Sequence, residues 1–156
     1  MLLNKIRENL DFKNFNSLDL NLFFKSKSFP FKTFPEITLG DFVIKLANEK
    51  SELKKAQALR YSIFYKEKKA KPTFAKKMIR LDYDKIDKFA DHLIVIDKRR
   101  KSIKNKIVGT YRLIRGDVAL SFGGFYTSSE FDLTNILNTY QHKQILELGR
   151  SCVHID

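Results

Sequence analysis

The chain has 156 residues and a net charge of +12, from 30 Lys/Arg against 18 Asp/Glu, with fourteen Phe, six Tyr, no Trp and one cysteine. That length makes one domain able to bury a core, and the lone Cys152 excludes an internal disulfide and any multi-cysteine metal site. No stretch reaches the roughly 18 apolar residues that cross a bilayer, and Met1 to Lys5 do not begin a signal peptide, so a cytoplasmic protein is expected, at most peripheral on a membrane.

Residues 1–38 read as an arm, amphipathic around Leu2, Leu3, Ile6, Leu10, Phe12 and Phe15 and broken by Pro30 and Pro35. The arm either seeks a membrane surface or folds over its own domain, which runs from 39 to 156. Phe42 to Leu46 alternate as a first strand. Ser51 caps a helix running to about Lys69, with Glu52 in its first turn and Lys66, Lys68 and Lys69 in its last, as the helix dipole favours. Helical spacing puts Arg60, Phe64 and Glu67 on one face. A basic loop, Lys71 to Arg80, leads into the acidic Asp82-Tyr-Asp-Lys-Ile-Asp87. Ala90–Asp97 and Ile107–Arg115 read as strands joined by a polar hairpin turn over 98–105. A looser Gly-containing region follows, with a short helix around Leu133–Asn138, and Gln144–His154 is the last strand. Strand, helix, hairpin, short helix, strand is an α+β order, a three-layer α/β/α sandwich with four strands.

Charge is uneven along this order. Residues 41–80 carry twelve Lys/Arg against four Asp/Glu, a local +8, while residues 81–100 balance five against five. Such a patch attracts an acidic protein, anionic lipid or nucleic acid, or is simply a solvated lysine face. No nucleic-acid motif accompanies it, so nucleic acid is the least favoured partner.

Five blocks in order, Leu59-Arg-Tyr-Ser-Ile-Phe-Tyr-Lys-Glu67, Ala90-Asp-His-Leu-Ile-Val-Ile-Asp97, Val108-Gly-Thr-Tyr-Arg-Leu-Ile114, Ser129-Glu-Phe-Asp-Leu133 and Glu147-Leu-Gly-Arg-Ser-Cys-Val-His154, resemble the ornithine N-acyltransferases of ornithine-lipid synthesis. Members of that family are often labelled hemolysin-like. It sits in the GNAT superfamily, near the acyl-homoserine-lactone synthases. The resemblance covers about residues 40–156 and implies a GNAT-like acyltransferase fold. It also implies transfer of a 3-hydroxyacyl chain from the phosphopantetheine of an acyl carrier protein to the α-amine of ornithine, with no permanently bound cofactor. The family's Gly-rich pyrophosphate turn falls beyond Asp156, so the chain is expected to be the front half of such a fold, truncated after the fourth strand. A lactone-synthase-like enzyme and a non-catalytic remnant are the alternatives.

Amide formation needs a neutral amine, and a carboxylate beside it takes the proton. On the last strand, Glu147 is the candidate base, with Arg150 beside it. The other reading is a structural Glu147–Arg150 ion pair. Strict alternation puts these two on opposite faces, so sharing a site requires a bulge at Gly149. The resemblance to the lactone synthases implies a charged cluster of Arg60 and Arg112 with the acidic loop, here Asp82, Asp84 and Asp87. On the functional reading this cluster, with Thr110 beside Arg112 and Phe64 and Glu67 on the Arg60 face, binds the amino acid. The same cluster also reads as a pin between loop and helix. His92 and Cys152 read as structural. Lys66, Lys68, Lys69, Lys71, Lys76, Lys77 and Arg80 form the expected docking patch for an acidic acyl carrier protein or an anionic membrane. No metal ligands are expected.

Overall fold

Alternating apolar residues build a five-stranded antiparallel sheet in the computed structural model, which describes residues 35–102 and 106–154. The amphipathic arm lies outside the described residues, except for its last four. The strands β1 (Ile37–Leu39), β2 (Phe42–Leu46), β3 (Asp91–Asp97), β4 (Ile107–Arg115) and β5 (Leu146–Val153) lie side by side in chain order. The sheet therefore has one strand more than the four expected. β1 spans the expected arm boundary at 38/39 and joins β2 through Gly40 and Asp41, Gly40 adopting the left-handed φ of +57° that such a tight turn requires.

The long helix expected over 51–69 divides. α1 (Lys50–Tyr61) is regular, and the chain then widens into a π-helical turn over Ser62–Glu67, with Lys68 N–H reaching Ile63 O. Its N-terminus is held by Glu52, whose carboxylate accepts the Asn48 and Glu49 N–H groups, rather than by a Ser51 cap. The expected basic loop contains a helix, α2 (Phe74–Ile79), started by the Thr73 hydroxyl accepting from Lys76 N–H. After β4 come α3 (Gly116–Ser121), a 3-10 turn at Tyr126–Ser129 and α4 (Thr134–Thr139).

One face of the sheet carries the core. Ile94, Ile107 and Cys152 pack on Ala56, Leu59 and Ile63 of the helical segment, while Ile114 packs with Val118, Ala119 and Phe125. At about 25 cal/mol per Å² of apolar surface, side chains of this size contribute roughly 1.5–3 kcal/mol each when fully buried. Alternation sends Leu93, Val95, Tyr111, Leu113, Leu146 and Leu148 to the other face, where among the described residues none of them is buried. Among the described residues, then, two layers are present, an α+β arrangement of sheet and helices. The buried face also receives His92, Thr110, Arg112 and Glu147, and this places the site.

Candidate active site

Cross-strand pairing brings the charged residues into register. His92 of β3 stands opposite Arg112 of β4, and Arg112 stands opposite Gly149 of β5. Between Thr110 and Arg112 the β4–β5 register shifts by one residue, the bulge that a shared site for Glu147 and Arg150 demands. The bulged residue is Arg150 itself, at φ +54°, next to Gly149. A non-glycine residue in this left-handed region costs roughly 1–2 kcal/mol, which the surrounding sheet must hold in place.

Arg60, the innermost charge, has a fully buried side chain at the end of α1. Its guanidinium donates to the Asp82 carbonyl at 2.5 Å and to the Asp87 carboxylate, and lies 3.2 Å from Asp82 Oδ2. Asp87 also accepts from Gln57 Nε2 at 2.9 Å and from Arg112 Nη1 at 3.1 Å. Arg112 makes a shorter bond of 2.6 Å to Asp84. The other Asp84 oxygen caps the 3-10 turn Lys85–Lys88 by accepting Ile86 and Asp87 N–H. Arg150 closes the cluster with Nη2 at 3.4 Å from Asp84 and Nε at 3.9 Å from Asp82. Charges removed from water this far need partners, and the acidic 82–87 segment supplies them.

Part of this was legible in residue types, and part departs from expectation. The structure brings Arg60, Arg112, Arg150, Asp82, Asp84 and Asp87 together. Thr110 shares their face, buried, and its hydroxyl has no hydrogen-bond partner among the described residues. Phe64 instead packs against the apolar cluster of α1, and Glu67 is exposed, because the π-helical turn breaks the single face expected for Arg60, Phe64 and Glu67. Lys76, expected on the docking patch, turns inward. It donates to Asp82 at 2.7 Å and to the Tyr65 hydroxyl at 3.0 Å, and Tyr65 donates to Asp82 at 2.8 Å. Burial pushes the Lys76 ammonium down, but Asp82 and Tyr65 more than offset that and hold its pKa above the ordinary lysine value. The other docking residues, Lys66, Lys68, Lys69, Lys71, Lys77 and Arg80, are exposed.

Glu147 is not paired with Arg150. Its carboxylate accepts from Tyr126 N–H at 3.0 Å, from Thr127 N–H at 2.6 Å and from the Thr127 hydroxyl at 2.5 Å, fixing the start of the Tyr126–Ser129 turn. Sequence reasoning missed Tyr126, whose ring centre lies 6.0 Å from the Arg150 guanidinium carbon. Backbone donors twenty residues away leave no local pattern in the sequence. Cys152 is buried, and its thiol is pushed up to about 11 by burial, far from the thiolate that nucleophilic chemistry needs. Among the described residues no group of three or more His, Cys, Asp or Glu is placed to hold a metal ion, and no helix is long and apolar enough to cross a membrane.

His92 is structural in its geometry. Nε2 lies 3.0 Å from the Asp87 carbonyl, which can only accept, so the neutral ring carries its proton there. Burial, the largest influence, pushes its pKa below the ordinary value, despite the opposing pull of Asp87. Asp82 and Asp84 are raised by burial but lowered further by their partners, Lys76 and Tyr65 for the first and Arg112 for the second. All three groups are depressed, so each contributes stability above its unfolded pKa and loses it as pH falls through the folded value. The unfolding midpoint is therefore expected to fall in two acid stages. The first begins below about pH 6.5 and the second below about pH 4, near the ordinary values of histidine and aspartate side chains. Thermal melts across pH 3–8 check this, and His92→Gln should remove the first stage alone.

These features define a class. The acetyltransferase (GNAT) domain family matches residues 59–156, and the chain belongs to that family. More particularly, it is similar to proteins named L-ornithine N(alpha)-acyltransferase. With that of Agrobacterium fabrum it shares 40% identity over 116 residues, 74% of this chain and 40% of that protein. With that of Rhizobium meliloti it shares 43% over 116 residues, 74% and 39% of the two chains. The Brucella abortus protein is 35% identical over 116 residues, 74% and 41%. The chain thus spans about two fifths of the length of the curated relatives it matches. No solved structure matches it.

Proposed function

We propose that this chain supplies the acceptor side of an N-acyltransferase that acylates the α-amine of ornithine. The observation that carries the reading is the buried Arg60–Asp87–Arg112 network, which reaches solvent at Asp84 and Arg150, in a chain similar to ornithine N-acyltransferases. A network of alternating carboxylates and guanidinium groups suits a zwitterion, with carboxylate taking ammonium and arginine taking carboxylate. The acyl chain, a 3-hydroxyacyl group, arrives as a thioester on the phosphopantetheine of an acyl carrier protein. The neutral amine nitrogen attacks the thioester carbonyl, the C–N bond forms, the C–S bond breaks, and the amine proton ends on the departing thiol. Asp84, the most exposed of the three aspartates at 28%, holds the ammonium as a charged acceptor, and the first proton leaves to water at the opening. Glu147, whose oxygens are occupied by the 126–127 turn, holds a wall of the site.

The carrier docks on the exposed basic groups Lys66, Lys68, Lys69, Lys71, Lys77 and Arg80, since such carriers are strongly acidic. The outer face of α2 adds Phe74, 79% exposed, and Met78 beside these cations. That combination also suits the surface of an anionic membrane, where an acylated product would partition.

Incubating the chain with a 3-hydroxyacyl carrier protein and either ornithine or S-adenosylmethionine, and reading products by mass spectrometry, tests the reading. Isothermal titration of each acceptor alone runs beside it. N-acylornithine, or saturable ornithine binding without turnover, is the expected result. Binding of S-adenosylmethionine in preference to ornithine would assign the site to lactone-type chemistry, and binding of neither would remove the acceptor role.

A further inference from the structure

Arg150 differs from every other cation of the network. Arg60 and Arg112 have side chains 0% and 2% exposed and Lys76 is 15% exposed, each with a carboxylate oxygen at 2.7 Å or closer. The Arg150 side chain is 27% exposed, and its nearest carboxylate oxygen is 3.4 Å away. Four cations (Arg60, Lys76, Arg112, Arg150) thus face three carboxylates (Asp82, Asp84, Asp87), because Glu147 is engaged by the 126–127 turn. Of the four cations, the loosely held one is the one at the opening. On the same face, Arg60 Nη1 and Thr110 Oγ1 are buried with no hydrogen-bond partner among the described residues. The β-bulge and the left-handed backbone turn Arg150 to this face, a strained conformation for any residue but glycine.

We propose that Arg150 is the group that binds the carboxylate of the acceptor amino acid, with Tyr126 stacked on the guanidinium as the wall of that subsite and Glu147 as the positioning residue that fixes Tyr126. The inference rests on the acceptor reading above and makes it more specific. A guanidinium meets a carboxylate through two parallel hydrogen bonds, and Asp84, already 3.4 Å from Arg150, takes the neighbouring α-ammonium. Together they read the two charges of an α-amino acid on one carbon. A free carboxylate is then required of the acceptor. Its methyl ester, or a diamine of the same length, lacks the carboxylate that the loosely held Arg150 would take.

Isothermal titration of the full chain with ornithine, ornithine methyl ester and 1,4-diaminobutane tests this. Ornithine should bind at least about tenfold tighter than the other two, a difference of about 1.4 kcal/mol. Arg150→Gly suits the left-handed backbone, so it should melt near wild type while losing the preference for ornithine over the ester. Arg150→Lys, a point charge without the planar fork, should keep only part of it. Glu147→Gln retains an acceptor for the 126–127 donors and should keep the preference, whereas Glu147→Ala should weaken it. Equal affinity of wild type for ornithine and its ester would overturn the Arg150 assignment and leave the acceptor role standing. Unchanged preference in a folded Arg150→Gly would do the same. No binding of any of the three would overturn both.

Discussion

Asp87→Ala is expected to remove about 3–5 kcal/mol of folding free energy, because it strips a buried guanidinium of its carboxylate. Asp87 accepts from Gln57, Arg60 and Arg112 at once, and Arg60 has no exposed side-chain surface through which water could replace it. Against the 5–15 kcal/mol that ordinary domains have in total, such a loss leaves little margin. Urea unfolding followed by far-ultraviolet circular dichroism, needed because the chain lacks Trp, measures it. Asp87→Asn keeps shape and one acceptor and should fall between. Replacing both partners by apolar residues, Arg60→Met with Asp87→Leu, should recover only part of the stability, since apolar packing can replace the pair but Gln57 and Arg112 still lose an acceptor and Asp82 a donor. It should also abolish ornithine binding. An Asp87→Ala chain within about 1 kcal/mol of wild type would show that the cluster is hydrated and contributes as a surface pair does.

Gly116→Ala is the second large effect. A Cβ built on Gly116 would stand 2.1 Å from the His142 carbonyl oxygen and 3.0 Å from its carbon, with the Ile145 oxygen at 3.2 Å. These are backbone atoms and cannot rotate aside. The start of α3 must then move away from the turn before β5, breaking the Gly116 N–H to Ile145 O bond of 2.9 Å. Overpacking of this kind costs about 1–3 kcal/mol and sometimes more. β5 begins at Leu146, so the displacement passes to Glu147 and Arg150, and ornithine affinity should fall together with the melting temperature. Gly109→Ala is the control. Its Cβ would meet Val95 Cγ2 at 3.1 Å and Val95 Cβ at 3.2 Å, contacts that a shift of the neighbour relieves without breaking a hydrogen bond, so the cost should be smaller.

Much of the frame was readable from periodicity, and the reasons are specific. β2 and β4 carry the bounds that the alternation of Phe42–Leu46 and Ile107–Arg115 gives, and β3 starts one residue later than expected. Arg60, Arg112 and the 82–87 carboxylates were recognisable because charge on otherwise apolar elements has to find a partner. The need for a bulge followed from the spacing of Glu147 and Arg150, though glycine drew attention to 149 while the left-handed residue is 150. What stayed hidden depends on distant atoms. The π-helical turn after Tyr61 has no residue signature, so one helical face was expected where there are two. α2 was concealed by its lysines, and the inward turn of Lys76 depends on where Tyr65 and Asp82 sit. β1 was missed because it has three residues and follows Pro35 closely, although the Gly40-Asp41 pair before an apolar run is a hairpin signal.

The separation of the lysines into one buried member and several exposed ones has a consequence for ionic strength. Screening acts over roughly 10 Å at 0.1 M salt and roughly 3 Å at 1 M, and it acts on charges that ions can approach. Lys66, Lys68, Lys69, Lys71, Lys77 and Arg80 are open to counterions, Lys76, Arg150 and Asp84 only in part, and Arg60 and Arg112 hardly at all. Added salt is therefore expected to weaken the proposed docking of an acidic partner more than the proposed binding of a zwitterionic acceptor. On these two proposals, docking and acceptor binding differ in how far the solvent governs them.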